Sequence, residues 1–302
     1  FVEKLTTALL DCFKDESWPV RDAACVACGN FVLAFPEECR PVLPELLKLW
    51  TDHLSDNINS VRENSACALM NATKGYPEII STTVKEFLDV NILKAKDQKS
   101  DSKQFGDLSN ETKFGVAKVV HHHHGDVDDK HSNQQMFSCG SLAPKLKRGG
   151  GCMDHGFKRA TEPWEASDGA VYLLREVSAA DAELTVSHIG KLAELHRLDH
   201  FSHYPYLHEN IDKSIVIIAK NLGKKPFKAH LEILLPGLFR DASSTNRNLA
   251  ITASDCIRSL SNFLGNGIFR GRIENWDDSK LDLLDKIMTE QVTTFSEKAP
   301  FQ

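Results

Sequence analysis

The chain has 302 residues, 41% hydrophobic and 26% charged, and its 36 Lys and Arg against 42 Asp and Glu leave a net charge of −6. That apolar share supplies a core and excludes a wholly disordered chain, while the charge excludes a globally basic nucleic-acid binder. No apolar run reaches the roughly 18 residues of a membrane-spanning helix, and eight Cys without a secretory leader predict free thiols in a reducing compartment, cytoplasmic or nuclear.

The chain opens Phe1-Val2-Glu3-Lys4, without Met, which is expected of a piece of a longer sequence. Val2–Phe13 has helical periodicity. Asp15 then precedes Trp18-Pro19-Val20-Arg21-Asp22, and the small residues Ala24 and Ala27 follow. Pro41–Trp50 is a second amphipathic run. Asp56 precedes Val61-Arg62-Glu63 at the spacing that separates Asp15 from Val20-Arg21, with Ser65 and Ala68 at the small positions. Val61, Ser65, Ala68, Leu69 and Ala72 share one helical face. The unit is therefore helix A, a turn and helix B, with a period of about 40 residues.

The third helix A is predicted over 78–95. Residues 98–162 then interrupt the turn. They carry Gly149-Gly150-Gly151 and the run His121–His124 but few apolar residues. Such a stretch buries too little surface to offset its ordering entropy, so disorder is expected. Helix B resumes over 164–177, where Trp164–Ala170 repeats the pattern with Ser167 in the Arg position. Leu207-His208-Glu209 opens the fourth helix B with His208 in that position. Lys228–Phe239 is an A helix. Asp241 and Arg247, with Ala250 and Ala253 at the small positions, mark the fifth helix B. Ser279–Thr293 reads, like Val2–Phe13, as an A helix lacking a B helix of its own, so stacking is expected to continue past both ends.

Neither helix of a unit hides its apolar stripe alone, so the units must stack. At these residues the chain resembles HEAT-repeat proteins of the armadillo-type superfamily. The family pattern places Pro in helix A, Asp at the end of the turn and Val-Arg at the start of helix B, and Pro44, Asp56 and Val61-Arg62 match it. The resemblance implies an all-α superhelix of stacked antiparallel helix pairs. Residues 1–97 and 163–302 would form one solenoid, interrupted by the insertion at 98–162. It also implies a hydrogen-bonded ladder between neighbouring repeats, here Asp15, Arg21, Asp56, Arg62, Asp241 and Arg247, broken at Ser167 and His208.

The function expected of such a surface is a non-enzymatic scaffold that binds other proteins, with no cofactor, no membrane and no nucleic acid. Candidate contacts are Trp18 and Trp164 on the turn edge, and Asn30, Asn71, Lys74, Lys220 and Arg258 on B helices. Trp18-Pro19-Val20-Arg21 also has the Trp-x-x-Arg spacing of tubulin-binding TOG arrays, although Pro19 stands where those favour a basic residue. A fragment of an importin-β-like transport receptor, part of a longer chain or complex, is the other alternative.

The 13 His raise the question of metal. His196 and His200 are spaced for one helical face, with His203 close behind, and these three are the candidate ligands. The stretch lies where polar turn residues are expected anyway and lacks the zinc-protease Glu, so no metal is assigned. His121–His124, His131, Cys139, Cys152 and His155 show no recognised zinc spacing. Cys25 and Cys28 fall on the packed face of a B helix and are expected to be buried thiols, not half of a zinc site.

Overall fold

The computed structural model describes residues 2–15, 17–100 and 161–289. Most of the expected insertion, 101–160, lies outside the described residues. The helices are α1 (Val2–Cys12), α2 (Trp18–Ala34), α3 (Pro36–Cys39), α4 (Leu43–His53) and α5 (Asn59–Gly75). A π-turn, Ile80–Val84, leads into α6 (Lys85–Asn91), and a 3-10 turn, Lys94–Asp97, follows. Beyond the insertion come α7 (Pro163–Val177), α8 (Ala182–Leu195), α9 (Tyr204–Leu222), α10 (Lys224–Lys228), α11 (Leu231–Ala242), α12 (Arg247–Leu264), α13 (Asn266–Asp277) and α14 (Leu281–Thr289). No strand occurs among the described residues.

The helices form stacked antiparallel pairs in two layers. The B layer runs α2, α5, α7, α9, α12, each helix packed on the next. The A helices α1, α4, α6, α8 and α11 each pack on the B helix of their own unit. Small residues bring the B helices close: a Cβ on Gly29 of α2 would lie 2.7 Å from both Cα and Cβ of Ala68 on α5. Between the layers one apolar core runs the length of the array, with Trp50, Leu69, Leu88, Leu173, Ile215, Phe227 and Leu260 buried in it.

The stack crosses the insertion without a gap, because α5 packs directly on α7. The base of the insertion is tied shut by Gln98. Its Nε2 donates to Glu162 Oε2 at 3.0 Å, and its Oε1 accepts from the Trp164 amide at 3.4 Å. Glu162 and Glu165 complete a capping box that starts α7, which satisfies orphan amides of its first turn.

Two expectations at the ends are corrected. At the N-terminus, α1 packs on α2 as its partner. At the C-terminus, Gly265, with φ 102°, ends α12 and starts α13. Helix α13 packs on α11 through Trp276 against Phe239, ring centroids 5.7 Å apart, and through Arg272 to Glu232. Helix α14 instead packs on α12. Thus α13 takes the A place and α14 the B place of a further pair. Residues 290–302 lie outside the described residues.

Candidate functional site

Much of the buried charge lies on helix ends beside the turns between A and B helices. Arg21 donates through Nε to Asp56 Oδ2 of the next unit at 3.2 Å, and through Nη1 to the carbonyl of Asp15 in its own turn at 3.1 Å. Arg62 repeats the second contact on the carbonyl of Asp56 at 2.7 Å. Across the stack it meets Asp168 on α7, Nε to Oδ2 at 2.8 Å. Asp168 also accepts from Asn210 Nδ2 at 2.8 Å, which carries the chain of polar contacts on to α9. Burial opposes the charge on Arg62, but Asp168 and Glu165 outweigh it and hold the guanidinium pKa above its ordinary value.

Ser167 and His208 do not leave their turns without a tie. Ser167 Oγ donates to the carbonyl of Asn91 at 2.9 Å and accepts from the amide of Ala95 at 2.8 Å. His208 Nε2 donates to the carbonyl of Leu198 at 3.0 Å, while its Nδ1 lies 3.1 Å from Asp241 Oδ2 of the next unit. The expected break at His208 is thus a change of group at a position that still contacts both turns.

Arg247 is a correction. It is exposed at the first turn of α12 and pairs with no carboxylate among the described residues. The repeat is displaced by three residues here. Asn246 caps α12 by accepting from the amides of Asn248 and Leu249, and Leu249 takes the buried place of Val61. Ser244 Oγ accepts from the Asn246 amide, as Asp15 and Asp56 accept from Ser17 and Ile58. Asp241 therefore sits on the last turn of α11 instead of in the loop.

The candidate contact residues divide. Trp164 is buried, with its ring 5.3 Å from the Arg62 guanidinium carbon and stacked on His203 at 5.1 Å, so it is not a surface anchor. Trp18 is half-buried against the core. Asn30, Lys74 and Lys220 are exposed on α2, α5 and α9. Asn71 is half-buried and accepts from Lys74 Nζ at 3.1 Å. Arg258 donates to Asp255 and to the carbonyl of Ile287, which ties it to α14. Sequence reasoning missed the exposed Val26, Ile217 and Ile251 on α2, α9 and α12. Each sits four residues from an exposed polar residue on the same helical face, namely Asn30, Lys213 and Asp255.

The His candidates do not converge as spaced. Helix α8 ends at Leu195, so His196 and His200 leave the helical register. His200 Nε2 donates to the carbonyl of Gln98 at 3.0 Å, and His203 lies on Trp164. His196 turns inward and meets residues that the sequence spacing did not group with it. Its Nε2 is 2.8 Å from Asp241 Oδ2 and 3.2 Å from Asp212 Oδ1. Gly237 makes room for the ring, because a Cβ there would lie 2.3 Å from His196 Nδ1. Burial opposes the imidazolium of His196, but the two carboxylates hold its pKa up to about 9. Burial pushes His208 down to about 4, so its ring is neutral near pH 7. Beside this cluster a cleft of about 620 Å³ opens, with Asp199, Tyr204, Arg240, Asp241, Trp276 and Lys280 among its walls.

Cys25 and Cys28 are buried free thiols, and burial pushes both up to about 12. His121–His124, His131, Cys139, Cys152 and His155 lie outside the described residues.

Residues 5–35 match the HEAT repeat family model, a span covering most of α1 and all of α2. That segment is similar to a HEAT repeat, and the described residues form a helical-repeat array. A solved structure described as an engineered protein is 11% identical, with a TM-score of 0.40 over 94% of this chain and 99% of that one. No curated protein matches the sequence.

Proposed function

We propose that the chain is a non-enzymatic scaffold that binds a protein partner along the exposed face of its B helices. The observation that carries this reading is the unbroken B row from α2 to α12. On it, Val26, Ile217 and Ile251 stand exposed among Asn30, Lys213, Lys220 and Asp255. Apolar anchors ringed by polar side chains are the composition of an interface that forms and dissociates. The HEAT match supports a protein-binding role of the general kind. No helix among the described residues is long and apolar enough to cross a membrane.

The turn edge gives weaker support. Trp164 is covered, and Arg21 is engaged by Asp56, so no geometry here favours the tubulin-binding alternative. The test is affinity capture from native lysate followed by cross-linking, with Ile217→Glu/Ile251→Glu as the control. The reading predicts a partner that cross-links to α9 and α12 and is lost from the control, whose helical signal is unchanged. A partner retained by the control, or cross-linked only elsewhere, would end the proposal for this face.

A further inference from the structure

We propose that His196, His208, Asp212 and Asp241 form a binding site for one divalent transition-metal ion of the zinc class, with Arg240 as its movable gate. This inference is independent of the scaffold reading. The four residues come from three elements: the end of α8, two positions one turn apart on α9, and the last turn of α11. An ion held there would staple the fourth unit to the fifth.

The donor geometry carries the proposal. His196 Nε2, His208 Nδ1 and Asp241 Oδ2 lie within 4.8 Å of one another, and all three residues are buried. Asp212 Oδ1 stands 3.2 Å from His196 Nε2. The pairs His196–Asp241 and His208–Asp241 are 2.8 and 3.1 Å apart, close to the roughly 3.3 Å edge of a tetrahedron built on bonds of about 2.0–2.1 Å to zinc; Asp212 stands outside that compact set of three and completes it only by a shift of its side chain.

Three further features fit a ligand set better than an ion-pair network. Asp212 is 0% exposed, yet neither carboxylate oxygen receives a hydrogen bond among the described residues. His196 Nε2, at 3.2 Å, is its ion-pair partner, and a buried carboxylate with so few donors leaves room for a second cation to compensate it. His208 gives its Nε2 hydrogen to the carbonyl of Leu198, which fixes the tautomer with an unprotonated Nδ1 facing the cluster, as the carbonyls that hold metal-bound His do. Two imidazole nitrogens and two carboxylate oxygens suit Zn²⁺ or Co²⁺ rather than Ca²⁺ or Mg²⁺, which take oxygen ligands.

Arg240 stands beside the set. Its Nη2 donates to Asp241 Oδ1 at 2.7 Å and to the carbonyl of His196 at 2.6 Å, and it lies 2.9 Å from His208 Nδ1. It therefore competes with an ion for that nitrogen. Its side chain is 36% exposed and borders the cleft, which gives both a place for the guanidinium to swing and a path for the ion.

The test uses the full tag-free chain with His121, His122, His123 and His124 each replaced by Ser, so that the His run contributes no binding. After chelator treatment it is titrated with Co²⁺, read by visible d–d absorption, and then with Zn²⁺ in competition. The proposal predicts one equivalent bound, the absorption of a four-coordinate nitrogen–oxygen site, and a zinc-dependent rise in melting temperature. Asp212→Asn and His208→Gln should each weaken binding by at least about tenfold, and Arg240→Ala should bind as tightly or more tightly. Less than a tenth of an equivalent in the parent overturns the proposal, whether or not the variants fold. So does a six-coordinate spectrum, or affinity unchanged in a folded Asp212→Asn or His208→Gln chain.

Discussion

Replacing Arg62 with Met tests how the array is held across its insertion. Arg62 is 3% exposed and faces Asp168 at 2% and Glu165 at 0%. Met restores much of the volume but removes the donor to Asp168 and the donor to the Asp56 carbonyl, and it leaves Trp164 without its cation. Among the described residues, Asp168 then keeps Asn210 as its side-chain donor. Breaking one side of a buried pair costs about 3–5 kcal/mol, because the remaining charge stays desolvated. The same change at Arg21, whose pair with Asp56 is at the margin of solvent, should cost about 1–2 kcal/mol. The double variant Arg62→Met/Asp168→Asn removes the stranded charge and should recover about half of the loss. Urea unfolding followed by far-ultraviolet circular dichroism measures all three. In a stacked array the loss falls on the α5–α7 interface, so the Arg62 variant should also unfold in two steps. A shift below about 1 kcal/mol, or a double variant no more stable than the single, would refute the reasoning.

Gly237→Ala places a methyl 2.3 Å from His196 Nδ1, and should cost about 1–3 kcal/mol in thermal or chemical unfolding as the ring is displaced. Asn246→Ala removes the cap that receives two amides of α12, and should cost about 1 kcal/mol in the same assay. Cys25 and Cys28, with pKa values pushed up to about 12, carry almost no thiolate at pH 8. Iodoacetamide should modify them only after unfolding, as peptide mass mapping would show.

The period was legible because it is a local pattern. The turn Asp, the apolar-Arg pair and the small residues recur within each unit, and each is required where two helices meet. The slip at Asn246 shows where this stops. Asp241 and Ser244 both precede α12, and only the fold decides which one accepts the amide that Asp56 accepts elsewhere. The burial of Trp164 depends on Arg62 and His203, which belong to neighbouring units, so no local signal reports it. The end of α8 mattered similarly: one helix boundary moves His196 away from His200 and toward Asp241. Half of the metal cluster was readable in principle, because His208 and Asp212 are spaced for one face of a helix. The place of Arg258 was not, because its partner is the carbonyl of Ile287 on a helix assigned to the other layer.

The central claim is that one continuous solenoid runs through the insertion, with α5 packed on α7 and Gln98 closing the base at Glu162 and Trp164. Excising residues 101–160 and joining the ends with a short Gly-Ser linker tests it most directly, with urea unfolding and hydrogen exchange compared against the intact chain. The account predicts an unchanged unfolding midpoint and equal amide protection in α5 and α7. Loss of protection in both helices, or two halves that unfold independently, would contradict it.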